Sequence, residues 1–264
     1  MLRRGRGLIC ALYVTSAMSM FVGSSGTALA DPAPTRPAYG LTYKDSPPPN
    51  PPKPVQAPAG APNVLLIMLD DVGFGQFGAF GGAVPSPGMD ALAANGLRFN
   101  RFHTAGICSP TRAALLTGRN SHQAGFGIIG EFANGYEGYT GVIPDSTATF
   151  AQILQSNGYV TSFIGKNHNT PASEGGPAGP FNHWPNGMGF DYFYGFNGWA
   201  TDQWKPTLYE NTAPVPPSTR NGYILNADLA DHAIAWLQRV RSAAPDKPYL
   251  LYYATGATHA PHQV

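Results

Sequence analysis

The residues with the most chemistry in them are Cys108-Ser109-Pro110-Thr111-Arg112, followed by Ala113-Ala114-Leu115-Leu116-Thr117-Gly118-Arg119. Pro110 lacks an N–H and has a φ already suited to a helix, and Gly118 is placed to end that helix. Cys108 then sits at the positive end, where unpaired backbone N–H groups collect anions. Arg112, one turn on, can turn a planar fork toward an oxyanion. Two roles remain open for Cys108 on these residues alone, a buried apolar thiol or a reactive group facing an anionic substrate. Three further groups have chemical potential: the adjacent carboxylates Asp70 and Asp71, the pair Lys166 and His168 two residues apart, and His259 in Thr258-His259-Ala260-Pro261. Side-by-side carboxylates repel unless a cation holds them, and hard oxygen donors suit Ca²⁺, with Mg²⁺ the alternative. The other reading is a solvated turn. A lysine beside a histidine offers a cation and a proton carrier, although each taken singly reads as a surface residue. His122, alone in its loop, reads as solvated.

The elements that must position these groups are α/β in character. Asn63 to Leu69 is a continuous apolar run, the pattern of a strand buried on both faces of a parallel sheet, and it ends at Asp70. Tyr159 to Ile164 is a second such strand and leads into Gly165-Lys166-Asn167-His168. Tyr249 to Tyr253 is a third and leads to His259. Strands of a parallel sheet share one C-terminal edge, where open α/β sheets place their ligands. Helices are expected over Met89 to Asn95, over Thr147 to Ser156 with Phe150, Ile153 and Leu154 inward, and over Leu225 to Val240 with an apolar face through Leu229, Ala233, Trp236 and Leu237. Leu97 to Phe102 is expected as a strand feeding the Cys108 loop. Residues 120–139, rich in Gly and aromatics, read as an active-site loop. Residues 170–222, with Trp184, Trp199 and Trp204, show little periodicity, and the aromatic content of residues 181–209 reads as a stacking wall.

Around this core, 264 residues give room for one sizeable domain, and a net charge of +1 with 12% charged residues gives no argument for a nucleic-acid partner. Residues 1–30 have the form of an export signal: Arg3, Arg4 and Arg6, an apolar stretch from Leu8 to Val22, and Ala28-Leu29-Ala30 as the cleavage site. The mature chain is then exported, periplasmic or secreted, with no membrane segment left after cleavage. Residues 31–61 read as a Pro-rich linker, and residues 62–264 as the N-terminal part of a catalytic domain. Of the two cysteines, Cys10 leaves with the signal, so Cys108 can form no internal disulfide. An unpaired thiol in an oxidising compartment is a liability unless buried, paired between chains or used.

The Cys108-x-Pro110-x-Arg112 stretch with its Ala-Ala-Leu-Leu-Thr-Gly-Arg tail resembles the signature of type I sulfatases, the arylsulfatase family. Leu69-Asp70-Asp71, Gly165-Lys166-Asn167-His168 and Thr258-His259-Ala260-Pro261 resemble that family's other site motifs, in the same order, from about Ala61 to Val264. The resemblance implies the alkaline-phosphatase-like fold, a mixed, mainly parallel sheet flanked by helices, incomplete at the C-terminus. It implies sulfuric ester hydrolysis of a small-molecule sulfate ester. Cys108 would be converted by a formylglycine-generating enzyme to Cα-formylglycine, whose hydrate is the nucleophile and a metal ligand. Asp70 and Asp71 would hold Ca²⁺. Arg112 would stabilise the nucleophile, Lys166 the sulfate charge, His168 would assist deprotonation, and His259 would protonate the leaving oxygen. Two departures stand out: Asn167 replaces a frequent tryptophan, and the chain stops at Val264, before the family's later Asp-Asn pair and second lysine. The chain then reads as a fragment of a longer product or as a crippled enzyme, with exposed strand edges. The competing readings are a phosphonate monoester hydrolase or phosphodiesterase of the same superfamily, and a non-catalytic exported binding protein.

Overall fold

The computed structural model describes residues 42–48 and 51–263. The signal read over residues 1–30, Cys10 and the first part of the Pro-rich stretch lie outside the described residues. The described residues divide into two units, with the boundary between Pro52 and Lys53. In the first, the described feature is a 3₁₀ turn over Tyr43–Asp45, where the Thr42 hydroxyl donates to Asp45 Oδ2 over 2.6 Å.

The second unit is built on a six-stranded sheet in the order β1-β6-β2-β3-β4-β5. Its strands are β1 (Val64–Leu69), β2 (Val160–Lys166), β3 (Tyr192–Phe196), β4 (Leu208–Glu210), β5 (Ala213–Val215) and β6 (Tyr249–Thr255). β1, β6, β2 and β3 run parallel, and β4 and β5 add antiparallel at the far end. Alternation along the strands splits the core in two. Phe163, Phe193 and Tyr252 pack on one face with Ala113 and Leu116 of α2 (Cys108–Thr117) and Ala151 of α3 (Phe150–Ser156). Ile164, Tyr194 and Leu251 face the other way, onto Leu225, Leu229 and Trp236 of α4 (Leu225–Ala243). Side chains of successive strand residues point to opposite faces, so these continuous apolar runs serve two helical layers at once.

Local chemistry sets the helix ends. Thr149 and Gln152 form a reciprocal capping box at the start of α3, with Gln152 N donating to Thr149 Oγ1 over 3.1 Å and Thr149 N to Gln152 Oε1 over 2.9 Å. Gly118 closes α2 at φ 64°, and its N–H reaches Ala114 O. A first helix, α1 (Pro87–Ala94), fits the expected position with Pro87 at its start. Among the described residues no helix is long and apolar enough to cross a membrane.

Several sequence expectations are corrected. β1 is not buried on both faces: it is the edge strand of the order, and Leu65 and Ile67 are 56% and 38% exposed. Leu97 to Phe102 forms no strand, and Leu97, Phe99 and Phe102 are exposed. Aromatic content marks such a segment as strand-like, but strand formation needs a partner edge, and among the described residues none pairs with it. Ile153 faces solvent instead of the core. The aperiodic span 170–222 contains β3, β4 and β5, and its Trp184 is fully buried in the core, whereas Trp199 and Trp204 remain about half exposed.

Candidate active site

The strand order carries the site. β6 lies between β1 and β2, so residues leaving β1 and β2 stand two strand spacings apart, about 9–10 Å. A short carboxylate on one side and a long lysine on the other bridge that span above β6: Lys166 Nζ donates to Asp70 Oδ2. Both are buried, Lys166 at 0% and Asp70 at 4% exposure. The glycine before Lys166 is required by this packing. Gly165 has φ 113°, and a Cβ there would lie 2.1 Å from Ala254 O on β6.

Arg112 enters from α2, itself 1% exposed. One Nη1 bond of 2.7 Å goes to the Lys166 carbonyl, and Nη2 stands 3.4 Å from Asp70 Oδ1. Arg112 Nε and Nη2 have no hydrogen-bond partner among the described residues. Two buried cations thus surround one buried carboxylate, leaving a positive excess and unpaired guanidinium donors, a setting that favours an anion. Burial would raise the Asp70 pKa, but the Arg112 charge, the Lys166 hydrogen bond and charge, and His259 outweigh it and hold Asp70 below the usual carboxylate range. The Lys166 ammonium is pushed down, chiefly by burial and also by Arg112, with Asp70 pulling it partly back.

Cys108 is the first residue of α2, preceded by Ile107, which supplies no side-chain cap. The helix therefore begins with uncapped backbone N–H groups beside the Cys108 side chain. Cys108 is a free, half-buried thiol. It lines, with Asp70, Asp71, Thr111 and Arg112, one cavity of about 740 Å³. The next residue fixes this end of the helix to its surroundings: Ser109 Oγ accepts from Gly130 N over 3.0 Å, and Ser109 O accepts from Asn169 Nδ2 over 3.0 Å.

His168 and Asp71 both have left-handed backbones, φ 60° and 54°. Such strained positions persist where the surroundings hold them, and they cluster at functional sites. His168 N bonds to Asn197 O, and its ring Nε2 meets both Glu131 oxygens at 2.9 and 3.1 Å. Burial pushes the His168 pKa down to about 4 against the pull of Glu131, so the ring is neutral at pH 7. His168 and Glu131 line a second cavity of about 610 Å³ together with Trp199 and Lys205. His259 joins from the loop after β6: Nδ1 lies 2.7 Å from Ala260 O, Nε2 is 3.8 Å from Asp71 Oδ2, and Trp199 packs edge-on at 5.5 Å. Thr258 Oγ1 donates to the Asp70 carbonyl and ties this loop to the end of β1.

The fold therefore brings Asp70, Cys108, Arg112 and Lys166 into direct proximity, with Asp71 and His259 paired at the rim and His168 on the side of the second cavity. His122 is not drawn in; its ring packs on Tyr139 and bonds to Asn120. Glu131, Ser109 and Thr258 escaped the sequence reading. The available signal for Glu131 was slight, since it is one of two carboxylates in the loop 120–139.

For a divalent cation, the donors fit in kind and fall short in number. Asp70 and Asp71 offer hard oxygens at the same cavity as position 108, but Ca²⁺ takes about six to eight oxygens. Among the described residues no cluster of three or more His, Cys, Asp or Glu is placed to hold a metal ion.

Comparisons with known proteins find one family throughout. A family profile described as Sulfatase covers residues 62–264. Human arylsulfatase D is 41% identical over 152 residues, covering 54% of this chain and 24% of its own. Human N-acetylgalactosamine-6-sulfatase is 32% identical over 222 residues, covering 76% of this chain and 40% of its own. The crystal structure of Ps i-CgsB in complex with k-i-k-neocarrahexaose superposes with a TM-score of 0.63 at 27% identity, over 77% of this chain and 46% of that one. The chain thus spans less than half the length of each of these relatives.

Proposed function

The chain belongs to the sulfatase family, and from that premise we propose that it forms the N-terminal part of an exported sulfuric ester hydrolase. Its substrate would be a small-molecule sulfate ester, and the nucleophile would be a Cα-formylglycine made from Cys108 by a formylglycine-generating enzyme. The observation that carries the reading is the buried cradle of Arg112 and Lys166 around Asp70, set beside Cys108 at an open helix N-terminus. A hydrated formylglycine at position 108 would supply an oxygen nucleophile with a second hydroxyl on the same carbon, through which sulfate could be expelled as the aldehyde re-forms.

Arg112 Nε and Nη2, together with Lys166, bind and orient the sulfate oxygens and stabilise charge that develops on them. His168, neutral near pH 7, holds a lone pair that can accept a proton. On His259, donation from Nδ1 to Ala260 O directs Nε2 to the site rim, where Nε2 would deliver a proton to a leaving oxygen from the doubly protonated ring. Asp70 and Asp71 would supply part of the shell of a divalent cation, Ca²⁺ with Mg²⁺ as the alternative, which as a Lewis acid would polarise sulfate oxygens. A sugar sulfate accords with the name of the N-acetylgalactosamine-6-sulfatase relative, and half-exposed Trp199 beside His259 offers an aromatic surface for it.

The deciding experiment is the mass of the tryptic peptide Phe102 to Arg112 from protein made in its native host. The expected peptide is lighter by the difference between –CH₂SH and –CHO and reacts with a hydrazide. An unmodified thiol overturns the nucleophile assignment. Turnover of aryl sulfate, phosphonate and phosphodiester esters with a matched leaving group then tests the reaction class, and dominant phosphodiester turnover overturns it.

A further inference from the structure

Glu131 makes one side-chain contact with the site, and that contact determines where a proton can sit. The carboxylate places both oxygens, at 2.9 and 3.1 Å, on Nε2 of His168. A carboxylate only accepts, so a neutral imidazole in this contact must carry its single proton on Nε2. Nδ1 is then the lone-pair nitrogen. It is buried and without a hydrogen-bond partner among the described residues. The position of Glu131 is itself set by the reactive helix. Glu131 belongs to the 3₁₀ turn Gly130–Phe132, and the Gly130 N–H is held by the hydroxyl of Ser109, the neighbour of Cys108.

We infer that Glu131 is a positioning residue: it fixes the His168 ring in the Nε2–H tautomer and so leaves Nδ1 as the nitrogen able to accept a proton, with Glu131 itself tied to the Cys108 helix through Ser109. The logic is that of any acid–base histidine whose far nitrogen is bonded to a carboxylate, which sets tautomer and ring angle at once. The catalytic part of the inference rests on the sulfate-ester reading, whereas the tautomer does not depend on it.

The full chain, labelled with ¹⁵N at histidine, tests this by the ring nitrogen shifts at pH 7, with His168 assigned by its absence in a His168→Asn variant. The expected wild-type spectrum shows Nε2 protonated and Nδ1 unprotonated. In Glu131→Ala the preference relaxes to averaged shifts. A wild-type His168 protonated on Nδ1, or shifts unchanged in Glu131→Ala, overturns the inference; the wild-type spectrum alone can do so if the variant does not fold. Where sulfate-ester turnover is present, Glu131→Ala should lower kcat roughly 10- to 100-fold with little change in KM. Sulfate-ester turnover unchanged in Glu131→Ala would overturn the catalytic part of the inference and leave the tautomer assignment standing.

Discussion

Replacing Asp70 by Asn removes the one carboxylate that two buried cations share, and the structure sets the size of the effect. The side chains of Asp70, Arg112 and Lys166 are 4%, 2% and 0% exposed, so solvent screens little of the loss. Breaking a buried pair from one side costs about 3–5 kcal/mol, because the remaining charge stays buried without its partner. A domain of this size has roughly 5–15 kcal/mol in all. Lys166, already pushed down by burial, can shed its proton in the variant, which places the expected loss near the lower end, about 3 kcal/mol.

The dependence on pH has a definite sign. Asp70 has a native pKa below its unfolded value, so its stabilisation is present above the unfolded pKa of about 3.9 and disappears as pH falls through the lower native value. The gap between wild type and Asp70→Asn should therefore be full at pH 7 and close in that acid range. Urea unfolding after treatment with a chelator, repeated across pH, measures both. The double variant Asp70→Asn/Lys166→Met should regain about 1 kcal/mol or more over the single one, since it removes the cost of either keeping the Lys166 ammonium buried without its carboxylate or deprotonating it. A gap below about 0.5 kcal/mol at pH 7, or a double variant no more stable than Asp70→Asn, would refute the argument that this ion cluster holds the strand ends together.

Two further outcomes follow from the sheet. Gly165→Ala forces a Cβ to 2.1 Å from Ala254 O at a φ of 113°, so a loss of about 3–5 kcal/mol is expected in urea unfolding, and a loss under 1 kcal/mol would mean that β2 and β6 can separate at this point. Leu65→Lys places a charge on the exposed face of edge strand β1 and should change stability by no more than about 0.5 kcal/mol while reducing self-association in light scattering, because charged edges resist strand-to-strand pairing. Unchanged self-association would remove that face from consideration as the sticky surface.

The groups with chemical potential were legible in the linear chain because each is adjacent to a strong local signal. Asp70 ends an apolar run, Lys166 follows another, and Cys108 opens a helix that Pro110 starts and Gly118 ends. Strand polarity alone implied that these ends meet, since parallel strands share an edge. The same local signals misjudged burial. The pattern of β1 describes what its side chains prefer, whereas its place at the end of the order β1-β6-β2-β3-β4-β5 depends on pairing with distant segments. For the same reason Leu97 to Phe102, strand-like in composition, found no edge to join, and β3 to β5 escaped a span without periodicity.

Tertiary structure alone decided how the charges are shared. No spacing in the sequence shows that β6 inserts between β1 and β2, that Lys166 then reaches over it to Asp70, or that Arg112 joins them from a helix 54 residues away from Lys166. Nor does it show Glu131 on His168, a contact across 37 residues between an aperiodic loop and a strand end. Residue types and local periodicity fix which groups exist and which element each ends; which of them touch, and so which proton each holds, is set by long-range packing in a low-dielectric interior, where a few ångströms decide the pKa and the tautomer.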